Sequence, residues 1–285
     1  MHIGIFAKTF PRPTFEATLD AVAARGITHV QFNMSCAGRP TLPSSPEPDL
    51  CRRIAGAFAA RGLTMAAVSG TFNAIHPDLV KRRAGLDGLR VLIGSSGVLG
   101  TSIVTLCTGT RDPADMWAPH PENASPGAWR DLVATLREAL KPAADDGVTL
   151  AFEPELANVV DSAAKARRLL DEVGSPNLKV VIDPANLFPE GSLSRMGEVL
   201  DSAFDLLGRD VALAHAKDLA RDGEAGHQAA GTGRLDFDRY VGLLNRSGYN
   251  GTLVLHGLEE HEVDASVAFL RSKLGRGTPP AHAHI

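Results

Sequence analysis

Three cysteines in 285 residues, Cys36, Cys51 and Cys107, leave no disulfide framework and no metal-type spacing to read. An odd number of free thiols suits a reducing compartment. Long apolar runs are missing too. None approaches the roughly 20 residues that span a bilayer, which argues against a membrane protein. Basic residues are not in excess, with 29 Lys and Arg against 33 Asp and Glu. A formal charge of -4 carries no electrostatic footprint for nucleic acid or an anionic membrane. The start of the chain has no basic n-region and no cleavage site, since Met1 runs directly into a strand-like HIGIFA. These absences predict a cytoplasmic protein. The first loop, AKTFPRPT, also lacks the Gly-x-Gly-x-x-Gly turn of a dinucleotide-binding open sheet.

What remains is ordinary in composition and regular in pattern. Hydrophobic residues make up 44% and charged residues 22%, as in a globular protein with a sizeable core. Short strand-like runs at 2–7, 29–33, 64–69, 102–107, 148–153, 179–183, 211–215 and 252–256 alternate with helical patterns. The helices are expected at 14–25, 48–61, 77–93, 125–146, 161–172, 194–207, 236–246 and 263–274. Glycines at 26, 62 and 94 serve as stops for the first three. Repeated strand–helix units imply a parallel sheet, and eight of them imply closure into a single-domain α/β fold, the (β/α)8 TIM barrel. Such a barrel needs about 250 residues. The barrel is therefore placed at 1–274 and a flexible, Pro/Gly-rich tail at 275–285. The long connection 108–127, with Trp117, His120 and Asn123, has the length of a functional loop.

Chemistry gathers at strand ends. Glu153 (VTLAFEPE), Asp183 (LKVVIDPAN), His215 (VALAHAKD) and His256 (TLVLHGLEE) close four successive runs, 30, 32 and 41 residues apart. The positions between them in register are apolar: Leu150 and Phe152, Val180 and Ile182, Ala212 and Ala214, Leu253 and Leu255. Side chains alternate faces along a strand, so the four candidates share one face, opposite the helices. Two carboxylates and two imidazoles at the carboxyl ends of barrel strands describe a site for one divalent ion, and imidazole favours Mn, Fe, Co or Zn over Mg. Each residue also has a plainer role. Glu153 could pair with a basic residue, Asp183 could cap a turn, and a histidine on an apolar strand is often a satisfied core group. Glu155 shares parity with Glu153. Lys217 shares parity with His215 and suits stabilisation of a developing oxyanion or a salt bridge to a strand-end carboxylate. Asn186 suits a substrate hydroxyl or its own turn. His76 faces the pocket or simply precedes a helix. Glu259 and Glu260 are alternatives to His256.

Four segments in this order, AFEPE, VIDPANLF, HAKD and GTGRLDF, carry a resemblance that runs nearly end to end. The chain resembles the xylose-isomerase-like barrel superfamily of sugar phosphate isomerases/epimerases, which includes apurinic endonucleases. The resemblance implies one divalent ion, manganese first with zinc, cobalt or iron as alternatives, held by Glu153, Asp183 and His215. Where the epimerases carry a strand-eight glutamate, this chain has His256. Two-base epimerisation is thereby put in question, and one-base chemistry stays open. The expected activity is a metal-dependent isomerase or epimerase of a sugar or keto sugar. Glu153, or a water it orients, takes a proton beside a carbonyl to form an enediolate, Lys217 assists, and His76, Trp117, Asn186 and Glu155 bind substrate. The alternatives are a lyase that dehydrates a keto sugar or keto-inositol or deglycosylates a 3-keto glycoside, and a non-catalytic sugar-binding barrel. A trinuclear-zinc endonuclease would need more strand-end histidines and a basic face. The expected partner is a small carbohydrate, slightly in favour of a neutral one, with no nucleic acid and no membrane. Assembly into a homo-oligomer is left open.

Overall fold

The computed structural model describes residues 1–275. Eight parallel strands close into a barrel: β1 (His2–Phe6), β2 (His29–Phe32), β3 (Thr64–Ser69), β4 (Ile103–Cys107), β5 (Thr149–Glu153), β6 (Leu178–Ile182), β7 (Val211–Asp218) and β9 (Thr252–Leu255). Each pairs with its neighbour in order, β6 with β7, β7 with β9, and β9 with β1, so the sheet has no parallel edge. Eight helices alternate with them: α1 (Phe15–Ala23), α2 (Pro48–Ala59), α3 (Leu79–Leu99), α4 (Pro126–Asp145), α5 (Ala163–Val173), α6 (Met196–Leu207), α7 (Phe237–Arg246) and α8 (Val263–Leu274). The (β/α)8 barrel expected from the alternation is the fold. Of the tail expected at 275–285, residues 276–285 lie outside the described residues. Among the described residues no helix is long and apolar enough to cross a membrane.

The strands bury both faces, which is why they read as nearly continuous apolar runs. One face, including Leu150, Phe152, Val180, Ile182, Leu253 and Leu255, packs under the helices in the main core. The other fills the barrel with small and medium side chains: Ala67, Ala151, Val181, Leu213 and Val254. Two positions further along each of those strands stand Ser69, Glu153, Asp183, His215 and His256. The interior parity therefore delivers polar groups to the carboxyl-terminal mouth.

Two elements differ from expectation by three residues or more at one end. Helix α3 was expected at 77–93 with Gly94 as its stop. It runs instead from Leu79 to Leu99, because the Asp78 carboxylate caps the backbone N–H groups of Val80 and Lys81 and places Pro77 before the helix. Glycine inside a helix costs about 1 kcal/mol. Burial of Ser96 and Leu99 one turn further on offsets that cost at Gly94 and Gly97. The left-handed residue that ends the helix is Gly100, at φ +87°. Strand β7 likewise continues past His215 to Asp218. There it pairs antiparallel with β8 (Gln228–Ala229), Lys217 opposite Ala229. The charged Lys–Asp pair resembles a loop in sequence, but the short ribbon keeps both side chains buried.

Candidate active site

The mouth of the barrel opens as a cleft of about 710 Å³, within the range of small-molecule sites. Its floor and walls include Gln31, Ser69, Thr105, Glu153, Glu155, His215, Lys217 and His256, with Phe6, Met116 and Trp117 as apolar faces. Helix α7 anchors the strands beneath. The buried Tyr240 hydroxyl donates to the His215 carbonyl at 2.9 Å, tying that helix to β7 directly below the site.

Asp183 is at the centre. Its Oδ2 lies 2.9 Å from Lys217 Nζ and 3.3 Å from His215 Nδ1, and its Oδ1 accepts from the Ala185 N–H at 3.0 Å. Burial alone would raise this carboxyl, but the Lys217 ammonium and the His215 ring outweigh it and hold it below the usual carboxylate range. Burial alone would lower Lys217, and the carboxylates of Asp183, Glu153 and Glu155 push it above the usual ammonium range instead. His215 follows the same logic: burial lowers it, Glu153 and Asp183 overcome burial, and the ring is pushed up to about 9 by the side-chain charges. The opposite holds for His256, which burial and the nearby positive charges of His215 and Lys217 keep neutral, well below the usual imidazole range.

Asn186 organises the carboxylates. Its amide nitrogen donates to Glu153 Oε1 and Glu155 Oε2, both at 2.7 Å, and its carbonyl accepts from Lys217 Nζ at 2.9 Å. Burial, reinforced by Glu153, pushes the Glu155 carboxyl up to about 8. Across the cleft the wall is aromatic. The His256 ring stacks on His215 at 4.8 Å and on Phe6 at 5.4 Å. Gly257, at φ +68°, lets β9 turn away there, since a Cβ at that position would stand 2.9 Å from Lys217 Cδ.

A divalent ion fits this donor set. Asp183, His215 and His256 each offer a ligand atom, and the three atoms lie within 4.8 Å of one another. The buried Nδ1 of His256 has no hydrogen-bond partner among the described residues, which leaves that atom available as a ligand. Glu153 lies beside that trio, with Oε2 3.7 Å from His215 Nδ1. Glu259 and Glu260 are engaged elsewhere: Glu259 in a capping box with Glu262, Glu260 in ion pairs with Arg12 and Arg25.

The structure thus brings together Glu153, Glu155, Asp183, Asn186, His215, Lys217 and His256, and places Trp117, half exposed, on the cleft wall. It does not bring His76 there. That ring lies 3.2 Å from the Pro113 carbonyl and accepts from the Asp78 N–H, so it holds two loops together rather than facing the cleft. Arg111, early in the long connection after β4, is paired with Asp131. Asp218, the last residue of HAKD, cradles the GTGRLDF segment, accepting from the N–H groups of Gly231, Gly233 and Leu235. Gln31, Ser69 and Thr105 also line the cleft, beyond the residues expected from sequence. Their signal was a polar side chain at interior parity within an otherwise apolar strand.

Comparisons agree with the barrel fold. Among solved structures, a D-tagatose 3-epimerase-like protein superposes with a TM-score of 0.77 at 15% identity, covering 96% of this chain and 97% of that one. The apo form of 3-keto-D-glucoside 4-epimerase from E. coli gives 0.72 at 19% identity, over 95% and 99%. The IOLI protein, with a bound zinc atom, gives 0.74 at 16% identity, over 98% and 99%. At these identities the likeness is one of fold. The model of the xylose isomerase-like TIM barrel matches residues 19–273, and with nearly the whole chain matched, this protein belongs to that family.

Proposed function

We propose that this protein is a divalent-metal-dependent isomerase or epimerase that removes a proton beside the carbonyl of a sugar or keto sugar. The observation that carries the proposal is the constellation of Glu153, Asp183, His215, Lys217 and His256 at the barrel mouth, with Asp183, His215 and Lys217 buried. Asp183, His215 and His256 would hold the ion, with Glu153 as the fourth donor. Two imidazoles favour manganese, zinc, cobalt or iron over magnesium. Bound there, the ion would polarise a carbonyl and an adjacent hydroxyl as a Lewis acid. Glu153 takes the proton, its carboxylate aimed by the Asn186 amide. Lys217, fixed by Asp183 and Asn186, offsets negative charge that develops nearby. Thr105, Ser69 and Asn33 offer hydrogen bonds to hydroxyls, and Phe6 and Trp117 offer apolar faces to the ring carbons.

One further observation favours a second reading. The carboxylates of the floor stand on the β5–β6 side, while the β9 wall presents His256 stacked on Phe6. A site with its bases on one side suits aldose–ketose isomerisation, and it equally suits elimination from a keto sugar. Turnover of a keto-sugar and inosose panel in D2O by manganese-loaded protein separates the two. An isomerase or epimerase puts deuterium on the carbon beside the carbonyl of the recovered sugar, whereas a lyase yields the unsaturated product or the freed aglycone. Neither deuterium uptake nor product across the panel would count against enediolate chemistry.

A further inference from the structure

We infer that Gln31 is a positioning residue that fixes the ring of His215, so that Nδ1 is the nitrogen offered to a cation. The inference rests on the metal-site reading above and deepens it. Gln31 is on β2, on the far side of the floor from Asp183, and is almost fully buried. Its Oε1 lies 3.0 Å from His215 Nε2. Its Nε2 donates to Ser69 Oγ and to Thr105 Oγ1, both at 3.3 Å. Hydroxyls on β3 and β4 thus use the two amide protons, and the amide oxygen is left facing the imidazole. An amide oxygen can only accept, so the nitrogen opposite it, Nε2, carries a proton. The other ring nitrogen, Nδ1, points toward Asp183 Oδ2 at 3.3 Å and Glu153 Oε2 at 3.7 Å, the side where the ligand atoms gather.

Ring orientation is fixed from two further directions. His256 stacks flat on the same imidazole, with an interplanar angle of 4°, which bars a tilt. The backbone of His215 is held by the Tyr240 hydroxyl. Turning the ring over about Cβ–Cγ would put a carbon where each nitrogen now stands, leaving Gln31 Oε1 and the Asp183 carboxylate facing C–H groups. Hydrogen bonds of this kind, behind a ligating histidine, commonly contribute 10–100-fold in metal affinity. The arrangement places a neutral acceptor on the floor, where a carboxylate would add negative charge beneath the site.

The test compares wild type, Gln31→Met and Gln31→Glu. Methionine keeps the volume and removes the acceptor, while glutamate restores an acceptor. Zinc is the probe because it is diamagnetic. Calorimetric titration is expected to show zinc affinity about 10–100-fold weaker in Gln31→Met, and largely recovered in Gln31→Glu. Ring-nitrogen NMR on 15N-histidine-labelled wild type is expected to show His215 protonated at Nε2 with and without zinc. Gln31→Met with wild-type affinity overturns the inference. So does an unprotonated Nε2 in wild type, which would mean that the Gln31 amide points the other way. Wild type that takes up no zinc counts against the metal site itself, and an Nε2–H resonance of the unloaded protein that is unchanged in Gln31→Met then overturns the Gln31 bond separately. A Gln31→Met protein that does not fold leaves the wild-type spectrum to decide.

Discussion

Glu153→Gln should lower kcat by about 10²–10⁴-fold on any sugar that the wild type turns over, the range a positioned general base contributes. Glutamine keeps the shape and can still meet Asn186, so thermal unfolding should stay close to wild type while turnover collapses. The measurement has to be made at saturating metal, because Glu153 also stands among the candidate donors, 3.7 Å from His215 Nδ1. The matching Glu155→Gln variant sharpens the result. Both side chains line the cleft and share the Asn186 amide, but Glu153 ends β5 beside His215 and Asp183. A larger loss in Glu155→Gln than in Glu153→Gln would transfer the base to Glu155.

Asp183→Asn should be the most destabilising change at the site in the metal-free protein. Removing one partner of a buried ion pair costs about 3–5 kcal/mol, because the other charge stays buried without compensation. Here that charge is the Lys217 ammonium, almost fully buried and 2.9 Å from Asp183 Oδ2. The sign with pH follows from the direction of the shift. The folded-state carboxyl of Asp183 is held below the ordinary range, so its contribution is complete above about pH 4–5 and declines as pH falls further. Urea unfolding of wild type and Asp183→Asn at neutral pH and at about pH 2.5 should therefore show a gap that narrows in acid. Equal stability at neutral pH would mean that Asp183 and Lys217 do not form the pair.

Much of the fold was legible because a closed parallel barrel imposes a simple rule on sequence. Its strands are buried on both faces, each is followed by a helix, and polar residues at interior parity appear where the strands reach the mouth. VTLAF before Glu153 and LKVVI before Asp183 display that rule directly. Local spacing was sufficient to put His215 and His256 on the same face, and closure then stacked their rings. Functions that depend on several strands meeting were not legible. Asn186 reads locally as a turn or hydroxyl-binding residue, yet it joins Glu153 and Glu155, at the end of β5, to Lys217 on β7. Gln31 lies 184 positions from His215, and nothing in HVQF signals its partner. His76 was misplaced for the converse reason. Its distance along the chain from β3 suits the mouth, but a turn directs the ring at Pro113. Helix α3 runs past Gly94 because the turn beyond it buries Ser96 and Leu99, which local propensity does not register.

The measurement closest to the central claim is the metal content of purified protein after reconstitution with manganese and with zinc, compared with His256→Ala. His256 is one of the three candidate ligands, and its buried Nδ1 has no hydrogen-bond partner among the described residues. The account predicts about one ion per wild-type chain and a clear loss in His256→Ala, with fold retained. Wild type that binds neither metal would contradict it and favour a sugar-binding barrel; full occupancy in His256→Ala would remove His256 from the donor set.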